Sequence, residues 1–324
     1  MRRAFITIVI GLLLLTGTTH AQENCRWTIA FWNVENLFDT WHDTLKDDCA
    51  FTPEGDNHWS SSRFTNKKNN LFKMIAAMKW PAVIGLAEVE NDYVLRELCH
   101  GTPLRKMGYD FVHYESPDTR GIDCALLYRH ERFQVLESRN INVSDSSRGL
   151  FTRDILLVGG ILKDSLRGSD TCFVLVNHWP SKRGGVEAER HRIVIAQLLL
   201  HTMDSLQQHH PSALVIALGD FNATSDEEAI SYGMGFHGKA VNGAGFYDLV
   251  LQQPKGTGSY KYQGVWSWID HAIANRELKL DLFDPDFILV DDEKYMGKKP
   301  FRTYTGMHYQ GGYSDHLPIM VTIP

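Results

Sequence analysis

The sequence lacks the features that mark several common classes of protein. Its 324 residues include five cysteines and no Cys-x-x-Cys pair, which argues against a cysteine-rich zinc module. Acidic residues outnumber basic ones, 39 against 33. A protein that binds long nucleic acid through charge alone is usually basic. The sequence has no fixed-period repeat and no low-complexity tract. A solenoid or a chain of linked modules is therefore not expected.

No apolar run is long enough to predict a membrane-spanning helix. The run from Ala4 to Leu15 falls short of the roughly 20 residues that a span needs. Arg2 and Arg3 precede it and Ala21 ends a stretch of small and polar residues, so the pattern predicts a secretory signal peptide over residues 1–21. A membrane anchor is the alternative. We expect residues 22–324 to form a single domain of a secreted or periplasmic protein, without a stable membrane span and monomeric.

The cysteines leave room for one disulfide in an oxidising compartment. Cys25 and Cys49 lie in polar sequence and form the candidate pair. Cys124 and Cys172 lie in apolar runs and are expected to be small core residues. An odd number of cysteines leaves at least one thiol free.

Apolar runs alternate with a few helical patterns, which predicts an α/β protein with two packed sheets and helices on their outer faces. The predicted helices are Lys67–Met78, Asp92–Cys99 and Val186–Leu206. In the last helix, Val194 is expected to face inward and Arg192 outward. The predicted strands are Trp27–Trp32, Ala82–Ala87, Asp123–Tyr128, Phe133–Val143, Ile155–Leu162, Cys172–Val176, Ala213–Leu218, Ile269–Ala274 and Ile319–Ile323.

Polar residues stand at the ends of most of these strands. A single aspartate or asparagine there is usually a turn former or a helix cap. The whole set, however, gathers carboxylates that would repel one another without a cation, and oxygen-rich ligands favour Mg²⁺, Mn²⁺ or Ca²⁺ over zinc. The set comprises Asn33, Glu88, Asn177, His178, Asp220, Asn222, Asp270, His271, Asp315 and His316.

Sequence blocks along the chain carry a resemblance to a known family. They are FWNVENLFD from Phe31, IGLAEVEN from Ile84, NHWPSKRGG from Asn177, LGDFNATSD from Leu218, WIDHAIAN from Trp268 and GGYSDHLP from Gly311. In this order they resemble the endonuclease/exonuclease/phosphatase superfamily of metal-dependent phosphoesterases, in particular a secreted Bacteroidetes-type branch. The resemblance implies a deoxyribonuclease-like, four-layer α/β/β/α sandwich of two packed mixed sheets with helices on the outer faces.

The resemblance also implies roles for individual residues. Glu88, Asn33 and Asp315 match metal-binding positions. His316 matches the histidine that contacts the phosphoryl group, and Asp270 matches the acid that hydrogen-bonds this histidine. Asp220 matches the acid that holds the attacking water or the metal, and Asn222 matches the amide that binds a phosphate oxygen. His178 matches a position near the leaving oxygen. Further phosphate contacts are expected from Asn33, Ser181 and Arg120. The family usually has a glutamine where this chain has Ala87.

This set of residues suits hydrolysis of a phosphate ester by water. A divalent ion neutralises charge that develops on the phosphoryl and leaving oxygens. Asp270 fixes the tautomer of His316, so that a protonated imidazole donates to the phosphoryl group. Asp220 can accept the proton of the water, a contribution of the kind typically worth about 10²–10⁴-fold. We expect a cofactor of Mg²⁺ or Mn²⁺, with Ca²⁺ as a further option.

The substrate stays open at this stage. A secreted enzyme that cleaves phosphodiester bonds of nucleic acid is the leading interpretation. A phosphoesterase acting on a lipid head group or a small phosphate ester is the second, and a binding module that keeps the fold without activity is the third. Arg153 and Lys182-Arg183 are further candidate phosphate contacts. An aromatic group, most of it in predicted loops, is a candidate for stacking on bases or on a lipid head group, with packing under long loops as the alternative, which is favoured for Trp268. The group comprises Trp59, Tyr260, Tyr262, Trp266, Trp268, Tyr304, Tyr309 and Tyr313.

The predicted signal peptide is directly testable. Expression of the full-length chain in a bacterium with an intact secretion pathway should release a protein that begins at Gln22. N-terminal sequencing and the intact mass of the exported protein measure this. A protein that stays in the membrane with Met1 in place would contradict the prediction.

Overall fold

The computed structural model describes residues 27–144, 149–164 and 168–324. The predicted signal peptide and Cys25, one partner of the candidate Cys25–Cys49 bridge, therefore lie outside the described residues. Helices α1 to α3 span Ser61–Ala77, Asp92–Cys99 and Gly185–His209. Strands β1 to β18 are, in chain order, Trp27–Leu37, Val83–Val89, Tyr109–His113, Asp123–Arg129, Phe133–Ile141, Ile155–Asp164, Gly168–His178, Leu214–Asp220, Tyr247–Asp248, Tyr260–Tyr262, Val265–Ser267, Asp270–Ala274, Lys279–Leu282, Leu289–Asp291, Lys298–Pro300, Tyr304–Thr305, His308–Tyr309 and Ile319–Ile323.

The larger sheets have six strands each, in the orders β13-β18-β1-β2-β4-β3 and β5-β6-β7-β8-β12-β9. Strand alternation explains how they pack. Ile29 and Phe31 of β1 lie in the core between the sheets, whereas Ala30 and Trp32 face the other side. The same alternation in β8 directs Ile216 into the core between the sheets. Each sheet is thus apolar on both faces and has to be covered on both.

The helices cover the outer faces of the two sheets. The apolar side of α1, including Leu71 and Met74, packs with α2 against the outer face of the first sheet. Ile195 and Leu199 of α3 pack against the outer face of the second sheet, where Val215 of β8 lies. The result is the four-layer α/β/β/α sandwich, and the predicted fold class is confirmed.

Most predicted elements occur, with shifted ends. The predicted bounds of α2 and of the last strand match the structure, but α1 begins at Ser61 because the Ser60 side chain accepts a hydrogen bond from the backbone of Arg63. The predicted facing of α3 is wrong at two positions. Val194 is 40% exposed, and Arg192 is buried because its guanidinium pairs with Glu189 and donates to the carbonyl of Pro180. Among the described residues, no helix is long and apolar enough to cross a membrane.

Each large sheet contains one parallel pair of strands, and the carboxyl ends of the two pairs define the edge where polar residues gather. β1 runs parallel to β2, with Asn33 beside Ala87. β7 runs parallel to β8, with His178 beside Asp220. Asp270 was expected at the end of a strand, but it begins β12. Because β12 is antiparallel to β8, Asp270 still lies opposite Asp220 at the same edge.

The core between the sheets makes a testable contribution to stability. Leu126 is fully buried there, so Leu126→Ala should lower the free energy of unfolding by about 2–5 kcal/mol in urea denaturation. Leu45 is 88% exposed, and the matched control Leu45→Ala should stay within about 0.5 kcal/mol of the parent. Equal losses in the two variants would contradict the assigned packing.

A buried histidine predicts how stability depends on pH. The ring of His113 lies 2.9 Å from Asp92 through Nδ1 and 3.3 Å from Asp123 through Nε2. Burial by itself lowers the pKa of His113, but the hydrogen bond and charge of Asp123, with the hydrogen bond to Asp92, raise it above the ordinary value of 6.5. The folded state therefore holds this proton more tightly than the unfolded chain does.

This contribution is fully present below pH 6.5 and is lost as the pH rises through the raised pKa of His113. The difference in free energy of unfolding between the parent and His113→Gln should therefore shrink as the pH rises above 6.5, as measured by urea denaturation. The exposed His201 provides the control variant His201→Gln. A difference for His113→Gln that does not change with pH would refute the prediction.

Candidate active site

The predicted site residues converge at the shared strand edge. Asn33 ends the regular part of β1 and is 1% exposed. Its side-chain nitrogen lies 3.2 Å from Glu88 Oε1 and 3.1 Å from Asp220 Oδ2, so one amide bridges carboxylates from both sheets. Its oxygen accepts a hydrogen bond from the backbone of Glu35. In this orientation Asn33 positions two carboxylates, and its role as a metal ligand stays a prediction.

Local backbone geometry aims Glu88 into the site. Glu88 has a positive φ of 65°, which a residue with a side chain adopts at a cost of order 1–3 kcal/mol. The pairing of β2 with β4 shifts register between Ala87 and Val89, which marks a bulge at this point. The other carboxylate oxygen accepts a hydrogen bond of 2.9 Å from the backbone of Asn36. The bulge thus turns the side chain of a strand residue toward the sheet edge.

His316 and Asp270 form a buried pair. His316 Nδ1 lies 2.8 Å from Asp270 Oδ2, which also accepts from the Ser259 hydroxyl. Trp32 fixes the backbone, because its indole nitrogen donates to the carbonyl of His316. Burial alone lowers the pKa of His316, but the charges of Asp270 and Asp220 hold it well above 6.5. His316 is therefore an imidazolium whose Nε2 lies 3.8 Å from Asp220 Oδ2.

Asp220 is placed to exchange a proton near neutral pH. It is 2% exposed. Burial raises its pKa to about 7, with the charge of Asp270 adding to the rise and that of His316 opposing it. The backbone of Asn222 donates to its Oδ1 at 2.9 Å. A carboxylate with this pKa is a suitable general base at neutral pH.

His178 completes the centre as a neutral imidazole. Its Nε2 lies 3.8 Å from both Glu88 Oε1 and Asp220 Oδ2, too far for a hydrogen bond. Burial and the nearby charges of Arg153 and Arg120 hold its pKa well below 6.5. Its Nδ1 is buried without a hydrogen-bond partner among the described residues.

Asp315 lies beside His316, and its other neighbours, Arg302 and Glu35, were not predicted as site residues from the sequence. Its Oδ2 lies 3.0 Å from Arg302 Nη2, and its Oδ1 lies 3.9 Å from His316 Nε2. Glu35, next to the site, accepts hydrogen bonds from the backbone nitrogens of Thr303 and Tyr304. Burial, with the charge of Asp315, raises the pKa of Glu35 to about 7.

Lys67 supplies a buried positive charge beneath this group. It is 1% exposed, and its ammonium donates to Thr303 Oγ1 and to the carbonyl of Tyr313. Burial lowers the pKa of Lys67 to about 8, opposed by the charges of Glu35, Asp315 and Glu88. Glu35 was inside a quoted block without an assigned role. No sequence pattern pointed to Lys67 or Arg302, because their partners are distant in the chain.

The other residues predicted to contact phosphate are Asn222, Ser181 and Arg120, and their environments differ. Asn222 donates its amide to the carbonyl of Trp179 at 3.0 Å. Ser181 is exposed and its side chain caps no helix. The Arg120 side chain is 51% exposed and lies 3.4 Å from Asp118. Their phosphate contacts stay predictions.

Some polar residues at strand ends are structural. Arg153 is buried, and its terminal nitrogens donate to Asp118 and to the carbonyl of Trp179. Its contact with a phosphate stays a prediction. His271 is buried between Asp248 and the carbonyl of Ala223. The side-chain nitrogen of Asn177 donates to the carbonyl of Leu175 within its own strand. These residues meet backbone groups, as most polar residues at strand ends do.

The donor set fits a hard divalent cation. Ligand atoms of Asp220, Asp270 and His316 lie within 4.8 Å of one another, and Glu88 and Asp315 border the same cluster. Burial and the charge of Asp270 raise the pKa of Asp220, and the charge of His316 opposes the rise. A divalent cation among these carboxylates would reduce their mutual repulsion. Glu88 and Asp315 are the carboxylates that would hold an ion of the Mg²⁺ class.

Residues 28–324 match the sequence profile of the Endonuclease/Exonuclease/phosphatase family. The chain belongs to this family. Its members are phosphoric ester hydrolases that depend on divalent metals. The matched range contains all of the strands, except that it omits Trp27, the first residue of β1.

Solved structures and a curated relative show what this family member is similar to. TDP2 from D. rerio, complexed with single strand DNA product, has a TM-score of 0.57 at 18% identity, over 91% of this chain and 98% of that one. A mannosyl-6-phosphatase from Bacteroides thetaiotaomicron has a TM-score of 0.56 at 17% identity, over 91% and 98%. At such identities the likeness concerns the fold. Nocturnin from Xenopus laevis is 33% identical over 119 residues, 37% of this chain and 28% of that protein.

The assignment of Glu88 to the metal predicts a loss of ion binding. Glu88→Gln removes one negative charge and should weaken Mg²⁺ and Mn²⁺ binding by more than about tenfold, since changes in the outer shell of metal sites already cost that much. Isothermal calorimetry measures the affinities. Glu97 on α2 pairs with Lys68 away from the site, so Glu97→Gln is the matched control. Unchanged affinity in Glu88→Gln would remove this residue from the site.

Proposed function

We propose that this protein is a divalent-metal-dependent phosphodiesterase that hydrolyses nucleic acid by in-line attack of a water molecule, and that it acts outside the cytoplasm. One observation carries the proposal. The imidazolium of His316, held by Asp270, lies 3.8 Å from Asp220, a carboxylate whose pKa is about 7. An acid and a base thus share one small volume at the edge of both sheets.

The chain's own residues divide the work of hydrolysis. Asp220 orients the attacking water and takes its proton, which its pKa permits at neutral pH. His316 donates its Nε2 hydrogen to a phosphoryl oxygen and stabilises the negative charge that grows there. Asn33 holds Glu88 and Asp220 at a fixed separation. A divalent ion on Glu88 and Asp315, when bound, neutralises charge on the phosphate oxygens.

An aromatic hairpin beside the site supports nucleic acid as the substrate. β10 and β11 pair antiparallel, and Tyr260 forms a backbone bridge with His316. The rings of Tyr260 and His316 are 4.8 Å apart, and Tyr262 further along is 62% exposed. Stacking of a base on an aromatic face is worth about 1–3 kcal/mol. The similar TDP2 structure carries a single strand DNA product. Stacking of a base is a local contact, so it is compatible with the acidic composition of this chain.

A second candidate is hydrolysis of a phosphate monoester. Arg302 lies 3.0 Å from Asp315 with its side chain 31% exposed, and Arg120 is exposed on the His178 side. Two guanidinium groups suit a terminal phosphate, which carries more charge than a diester. The fold similarity to a mannosyl-6-phosphatase also supports this candidate function.

A panel of substrates separates the candidates. Purified protein with Mg²⁺ or Mn²⁺ should cleave single-stranded DNA or RNA, and His316→Ala should lower kcat by about 10²–10⁴-fold with the fold intact. The exposed His308 gives the control variant His308→Ala. Release of inorganic phosphate from sugar phosphates alone would favour the second candidate, and release of phosphocholine would favour a lipid substrate. Absence of both metal uptake and activity would leave a binding module.

A further inference from the structure

A small pocket separate from the candidate active site lies beside the helices that cover the first sheet. Its volume is about 190 Å³, and residues of α1, of α2 and of the loop after β1 line it. Pockets that take drug-sized ligands span roughly 300–1,000 Å³. The smaller volume suits a single ring with its substituents. We call it the Trp41 pocket, after the tryptophan in its wall.

Aromatic rings form one side of the Trp41 pocket. Trp41 and Tyr93 meet edge to face with ring centroids 5.0 Å apart, and Phe64 stacks on Tyr93 at 6.2 Å. Phe64 is buried, whereas Trp41 is 62% exposed and Tyr93 is 39% exposed. Much of the indole surface therefore reaches solvent. A planar apolar surface of this kind can pack against the C–H face of a sugar ring or against a nucleic-acid base.

Backbone contacts hold Trp41 at the rim of the pocket. The backbone nitrogen of Trp41 donates to Asp39 Oδ1 at 2.7 Å, and the side-chain amide of Asn91 donates to Asp39 Oδ2 at 3.0 Å. The backbone of Asp39 donates in turn to Glu90 Oε2 at 2.6 Å. The loop is thus tied to the segment that leads into α2. A wall that is ordered before the ligand arrives loses little entropy on binding.

An ion pair supplies polar groups to the same pocket. Lys68 of α1 pairs with Glu97 of α2, and their side chains are 10% and 36% exposed. An ammonium carries several N–H donors and a carboxylate several acceptor positions, more than their mutual contact uses. Ser61 and Thr65 of α1 add hydroxyl groups. These groups can exchange hydrogen bonds with several hydroxyls of one ligand, and those made by the charged pair are the stronger ones.

The charges around the pocket favour a neutral ligand over a nucleic acid. The positive charge of Lys68 is matched by Glu97, and the carboxylate of Asp39 adds a further negative charge near Tyr93. Burial, with the charges of Glu97 and Asp39, raises the pKa of Tyr93 above its ordinary value of 10.0, so the phenol keeps its proton as a donor. Like charges would repel a phosphate backbone here, whereas the hydroxyls of a sugar carry no charge.

We propose that the Trp41 pocket binds one residue of a neutral carbohydrate chain. The C–H face of the sugar packs on Trp41, and its hydroxyls bond to the Lys68–Glu97 pair. The neighbouring sugars of the chain stay in solvent, because the pocket takes a single ring. The proposal goes beyond phosphate-ester hydrolysis and is independent of it, since the pocket and the active site are built from different residues. A site of this kind would attach the protein to a glycan.

Titration with neutral oligosaccharides tests the proposal. The probes are maltotetraose, cellotetraose, mannotetraose and chitotetraose, added to the whole chain in an isothermal calorimeter. At least one should bind with a Kd below about 1 mM. Trp41→Ala should weaken that binding by more than about tenfold, since loss of an aromatic anchor typically costs at least that much.

The conservative variant Trp41→Phe gives a second readout. It keeps a ring and should retain most of the affinity. It should also lose the change in tryptophan fluorescence that the sugar produces in the parent, because every other tryptophan of the described residues is buried or half-buried. A fluorescence change that persists in Trp41→Phe would place the sugar at another site.

The matched control is an exposed aromatic residue outside the pocket. Tyr232 is 66% exposed, and Tyr232→Ala should keep the affinity of the parent. Circular dichroism checks that each variant is folded. Failure of all four oligosaccharides to bind the folded parent, or equal affinity in Trp41→Ala, would overturn the proposal. Binding of a single-stranded oligonucleotide that Trp41→Ala abolishes, without sugar binding, would overturn it as well and assign the pocket to a base.

Discussion

The structure depends on bringing buried carboxylates of like charge to one point at the edge of two sheets. Glu88 and Asp220 come from different sheets and share the amide of Asn33, while Asp220 also faces the imidazolium of His316. Burial of such a group is costly unless charges are paired. Hydrogen bonds and one imidazolium offset part of this cost, while burial raises the pKa of Asp220. A divalent cation would supply the rest.

The sandwich produces this convergence through strand direction. Parallel pairs β1–β2 and β7–β8 end at the same edge, and the antiparallel strand β12 begins there. The bulge at Glu88 then turns one side chain out of the regular alternation. The loop before β18 adds Asp315 and His316, and its backbone is tied to β1, because the Ser314 hydroxyl donates to the carbonyl of Asn33. The candidate catalytic groups therefore lie at strand ends and on one loop that is tied to a strand, and we propose that the aromatic hairpin and the exposed loops select the substrate.

Much of this arrangement was predictable from the sequence, and the remainder has identifiable physical reasons. Apolar alternation and the quoted blocks predicted the layers, and polar residues at strand ends predicted which side chains gather. The pattern could not separate Asp220 from Asn177 or His271, because all three end up buried at strand ends and differ only in their partners. Lys67 and Arg302 escaped prediction because their partners are distant in the chain. Arg192 was misplaced because its guanidinium pairs with Glu189 and donates to the carbonyl of Pro180, and the two contacts together offset the cost of burying its charge.

The central proposal is that the half-buried carboxylates of Glu88 and Asp315 hold a cation beside the buried His316. Anomalous diffraction from crystals grown with Mn²⁺ measures this most directly. The account predicts an anomalous peak with oxygen ligands at roughly 2.0–2.4 Å that include the carboxylates of Glu88 and Asp315. Crystals without a peak at this edge of the sheets, or with the ion bound elsewhere and the carboxylates still in place, would contradict it.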